Sequence, residues 1–70
     1  MSVSAGMARM ERARKDLLAE WQRTRQSWRD TMADRFEKEV IEPTDADLRQ
    51  TVEAMETLAG LLAAARRDCE

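Results

Sequence analysis

A chain of 70 residues makes one small domain at most, and a domain of that size buries only about 60% of its unfolded surface, so something must staple it. One cysteine excludes an internal disulfide, and the absence of histidine leaves a zinc site to carboxylates alone. The net charge is −2, charged residues make up 37% of the chain, and there are two glycines and one proline. That is the composition of long helices or a coiled coil, and it makes oligomerisation, or docking on a larger protein, the expected staple.

No window approaches the roughly 18 apolar residues of a membrane span. The N-terminal stretch MSVSAGMARMERARK also lacks the apolar run of about 7–15 residues of a secretory signal. A cytoplasmic protein without a membrane partner is expected; the alternative is secretion without a conventional signal peptide.

In chain order, the small residues up to Gly6 form a lead with Ser4 as candidate helix cap, and helix is expected from about 5 to 41. Apolar positions Met7, Met10, Ala13, Leu17, Trp21, Trp28, Met32, Phe36 and Val40 follow helical spacing, and both tryptophans and the only phenylalanine fall between 21 and 36. Pro43 should stop this helix, giving a turn at 42–44. Thr44 and Asp47 then read as a capping box for a second helix over about 45–68, with Arg66 and Arg67 near its negative pole.

So short a connection makes the helices antiparallel neighbours. The expected fold is an all-α two-helix hairpin, residues 1–70 as one unit, assembling into a four-helix bundle. Its seam is Trp21, Trp28, Met32, Phe36, Leu58 and Leu62, with Trp28 against Leu58 and Ala59, and Gly60 kept for close approach. The first helix should overhang the second. Met7, Met10 and Leu17, together with Leu61 from a segment apolar around its whole circumference, then form the partner interface.

Chemistry is hardly signalled. Histidine and tyrosine are absent, as are a Gly-rich phosphate loop and a nucleophile–base arrangement. No catalytic, cofactor-binding or metal-ligating residue is assigned, no cofactor is expected, and the chain reads as a non-enzyme. The carboxylates Glu37, Glu39, Glu42, Asp45 and Asp47 match no calcium-loop spacing. Cys69 reads as an idle thiol. Arg9, Arg12, Arg14 and Lys15, joined by Arg66 and Arg67 at the open end, give a basic patch, the basis of a nucleic-acid accessory role as an alternative. Interruption by Glu11 and Asp16, and an acidic chain overall, argue against that partner.

The stretch Trp28-Arg29-Asp30-Thr31-Met32-Ala33-Asp34-Arg35-Phe36-Glu37 resembles the Trp-x-Gly block of the small helical-hairpin proteins exported by type VII secretion. The resemblance implies a signal-less, helical, commonly dimeric protein that forms four-helix bundles, with Trp28 and Phe36 at the family's aromatic positions. Asp30 stands where that family has glycine, and without tyrosine the family's Tyr-x-x-x-Asp/Glu export signal is missing. The family turns at its Trp-x-Gly block, whereas the turn expected here lies at Pro43.

Overall fold

The computed structural model describes residues 2–69. Helix begins earlier than expected because Ser2, not Ser4, supplies the cap: its hydroxyl oxygen accepts the Ala5 amide at 3.1 Å. Helix α1 (Val3–Arg25) then ends at a turn in the middle of the aromatic stretch. The Gln26 amide reaches back to the Arg23 carbonyl and the Trp28 amide to that of Thr24, at 3.2 and 3.1 Å. Asp30, in extended conformation, restarts the helix, its carboxylate accepting the Ala33 amide at 3.0 Å. No described residue has positive φ, so the reversal needs no glycine.

From Asp30 the chain runs as one long helix over 31–69. Its parts are α2 (Thr31–Phe36), a π-helical turn (Glu37–Ile41) and α3 (Glu42–Cys69). At 1.5 Å per residue this spans about 58 Å, and the molecule measures 59 × 17 × 12 Å. The chain is therefore all-helical among its described residues, two helices lying side by side. Two expectations are overturned. Pro43, Thr44 and Asp47 form no turn and no cap but lie inside the long helix, and the first helix does not run to 41. The widened turn is the physical reason: the Glu42 amide bonds the Glu37 carbonyl, five residues back. Placed just before Pro43, this π turn absorbs the misfit of a ring that would clash with an α-helical carbonyl and offers no amide hydrogen.

The early turn resets the pairing. Cross-helix pairs are Arg25–Asp34, Trp21–Glu37 and Arg14–Asp45, and a Cβ on Gly6 would meet Met55 at 3.0 Å. Val3 thus stands level with residues near 56–58, and about three turns at the end of α3 have no counterpart on α1. The overhang belongs to the second helix, the reverse of the expectation. Met7, Met10 and Leu17 are half-buried in the seam between the helices rather than free for a partner.

The seam advances by steps of three and four, with an additional step of four where the π turn lies. On α1 it runs through Val3, Met7, Met10, Arg14, Leu17 and Trp21; on the long helix through Ala33, Glu37, Ile41, Asp45, Leu48, Val52, Met55 and Ala59. Among the described residues only Trp21, Ala33 and Ile41 are buried. Leu58 and Leu62 lie outside this seam with large exposed areas, as does Met32, because the register that would have covered them does not form.

Candidate functional site: aromatic lock and exposed flank

Three aromatic side chains that share a short sequence stretch come together from three different places. Trp21 sits on the last turns of α1, Trp28 in the turn, and Phe36 at the end of α2. Their ring centroids lie 5.2 Å apart for Trp21–Phe36, 5.9 Å for Trp28–Phe36 and 6.0 Å for Trp21–Trp28, the last edge-to-face at 82°. These are favourable aromatic geometries. The buried Trp21 indole donates to Glu37 Oε1 at 2.6 Å, and the Arg25 guanidinium lies 5.9 Å from the Trp21 ring centroid. Arg25 in turn bonds Asp34 at 2.8 Å, so the closed end of the hairpin is pinned by rings and charges together. Beside the rings runs an open groove of about 350 Å³, lined also by Leu17, Glu20, Thr24 and Ile41. Its polar complement is Glu20 and Thr24, and the Thr24 hydroxyl is spent on the Glu20 carbonyl at 2.9 Å. Nothing there forms a nucleophile–base pair.

Farther along, Arg14 occupies a seam position where an apolar residue would be ordinary. It bonds Asp45 at 2.9 Å and Glu11 at 3.2 Å, both partners half-buried. The hydrogen bond to Asp45, then that to Glu11, holds the guanidinium pKa above its ordinary value. A charged pair inside an apolar seam fixes register, since any slip parts the two.

The basic patch expected at the open end does not assemble. Arg9 to Lys15 lie level with residues near 44–50, whereas Arg66 and Arg67 lie on the overhang beyond the start of α1; the shifted turn separates them by many residues of helix. Arg14 is engaged with Asp45 and Glu11. The acidic residues Glu37, Glu39, Glu42, Asp45 and Asp47 are strung along a helix rather than gathered in a loop. Among the described residues no group of three or more Asp, Glu or Cys side chains is placed to hold a metal ion. Cys69 is exposed. No helix of the described residues is long and apolar enough to cross a membrane.

What remains conspicuous is exposed apolar surface. The exposed large hydrophobic residues among those described are Met32, Phe36, Val40, Leu58, Leu61 and Leu62, and all belong to the long helix. Leu61 keeps 65% of its surface and Met32 57%. Near the overhang, Leu62 lines a second open groove with Ser2, Val3, Ser4, Ala59, Ala63 and Arg66. Comparison of the chain with protein-family models, with curated proteins and with solved structures finds no match.

Proposed function

We propose that this chain is a non-enzymatic interaction module that self-associates, or docks on a larger protein, through the long helix. The observation that carries this reading is the concentration of exposed large apolar side chains on that one helix, while among the described residues the hairpin buries only Trp21, Ala33 and Ile41. A two-helix unit of this size has little core of its own, and covering such surface is worth about 25 cal/mol for each Å² removed from water. Light scattering over a concentration series, alone and with the products of neighbouring genes, tests it. A rise in mass with concentration or on mixing is expected, and a constant monomer mass in every mixture overturns the reading.

A second reading rests on the position of the turn. The chain reverses at Trp28-Arg29-Asp30, within the stretch that resembles the Trp-x-Gly block of type VII hairpin proteins, and Asp30 replaces the glycine by acting as a helix cap. On this reading the protein is exported. Accumulation in culture supernatant that stops when a type VII system is disabled supports it; strict retention in cells dismisses it. A nucleic-acid accessory role lacks its clustered cations, and its test is binding that falls steeply with salt.

A further inference from the structure

Five of the six exposed large apolar residues of the long helix, all but Leu62, lie on one line. Met32, Phe36, Val40, Thr44, Asp47, Thr51, Ala54, Leu58, Leu61 and Ala65 follow one another by steps of three or four, one position behind the seam residues Ala33, Glu37, Ile41, Asp45, Leu48, Val52, Met55 and Ala59. They form a second stripe, turned about 100° from the seam. The π turn keeps its two halves in phase: without the extra residue, Met32 and Phe36 would rotate away from Leu58 and Leu61. The stripe is large and apolar at both ends and small or polar in the middle.

From this pattern we infer that the stripe binds the same stripe of a second copy, antiparallel, about a two-fold axis near residue 49. This rests on the self-associating form of the reading above and gives it a geometry. In that register residue numbers facing each other sum to about 98, so Phe36 meets the partner's Leu61, Val40 the partner's Leu58, and Thr44 the partner's Ala54. Each pairing occurs twice, as a two-fold interface requires. Both apolar ends are then covered in one association, which a single neighbouring helix in any parallel alignment cannot do without stacking Asp47 on its own copy.

Charge supports the same direction. Arg66, at the edge of the stripe one residue past Ala65, comes level with the partner's Asp30, where parallel pairing would set the two Arg66 side chains together. On the open flank Pro43, Ala46, Gln50 and Thr57 are uncharged, and Arg35, Glu39 and Glu53 come level with the partner's residues near 63, 59 and 45, so no two of these charges stand directly opposite. At the polar centre the Thr51 hydroxyl already bonds the Asp47 carbonyl at 2.9 Å, and antiparallel pairing sets each Asp47 level with the partner's Thr51 rather than with its own copy. A standard interface takes about 800 Å² from each partner, roughly a seventh of the 5627 Å² this chain exposes.

Charge exchange across the stripe tests the geometry. In the full chain carrying Cys69→Ser, Val40→Glu and Leu58→Lys should each weaken dimerisation about tenfold or more in sedimentation, compared at a temperature where helical circular dichroism shows each variant still folded. The double variant should regain the dimer, since each new glutamate faces a new lysine of the other copy. Gln50→Cys, next to the axis, should be joined to its own copy by a short bismaleimide, and Arg49→Cys, turned away, should not. A dimer that ignores both single substitutions and leaves Gln50→Cys unlinked overturns the stripe while self-association stands. A parent that stays monomeric at every concentration overturns the pairing altogether, leaving docking on a larger protein to the mixing experiment.

Discussion

Trp21 and Trp28 look alike in the sequence, but their surroundings set very different costs for losing them. Trp21 is buried, bonded to Glu37 and packed on two rings; Trp28 is half-buried at the turn. Trp21→Ala should therefore cost about 3–5 kcal/mol, enough to unfold the hairpin, and Trp28→Ala distinctly less; urea melts of the two variants compare them directly. Glu37→Leu leaves the indole N–H buried without an acceptor, a loss of about 1–3 kcal/mol, whereas Glu37→Gln keeps an acceptor and should melt close to the parent. Arg14 makes a different kind of statement. Its pKa is raised by Asp45 and Glu11, so what it contributes is fully present below the ordinary arginine value and is lost only as pH climbs through the still higher folded value. Replacing Arg14 by methionine should thus leave the shape of the stability profile unchanged between neutral pH and the ordinary arginine value, and a transition inside that window that vanishes in this variant would refute the assignment.

At the scale of elements, Gly60 separates a reading from the sequence from what the fold requires. A Cβ there would meet nothing within 4 Å, so no close approach within the hairpin explains the glycine. Gly60→Ala should stabilise α3 by about 0.5–1 kcal/mol through helix propensity alone, seen as a higher melting temperature; a lower one would mean that something approaches Gly60 in the assembled protein. The all-helical hairpin was legible in the sequence because periodicity and composition decide helix against strand. The place of the turn was not. Spacings of seven, four and four among Trp21, Trp28, Met32 and Phe36 suit one continuous helix, yet a helical phase can resume after a short turn, and here the rings meet across the break. The break's own signal was present in Asp30, a good cap ahead of a helical run, but it is weaker than the signal of Pro43. Proline was misleading because its cost can be met by one widened turn when a long helix has packing on both sides of it. Every error of site followed from that single displacement: the register moved, the overhang changed helix, Met7, Met10 and Leu17 went inside, and Met32, Leu58 and Leu62 came out.

For the molecule as a whole, the decisive ratio is between what two helices can cover and what they leave open. The hairpin is a rod 59 Å long whose interior is one line of side chains, interrupted by Arg14–Asp45, and whose best-packed region sits at one end. Its stability ought therefore to depend on how much of the outer stripe is covered, and covering it is a matter of mass action. A chain that folds and associates together should melt at a temperature that climbs with protomer concentration, by several degrees over a hundredfold range for a domain of this size. The aromatic lock should resist longest, because its contacts are local to the turn, while α3 beyond Met55 should exchange its amide hydrogens fastest in dilute solution and slow as concentration rises. Amide exchange at two concentrations reads both effects in one experiment. Equal protection of Leu58 to Ala65 at either concentration, with a melting temperature that does not move, would leave the long helix standing on intramolecular packing alone.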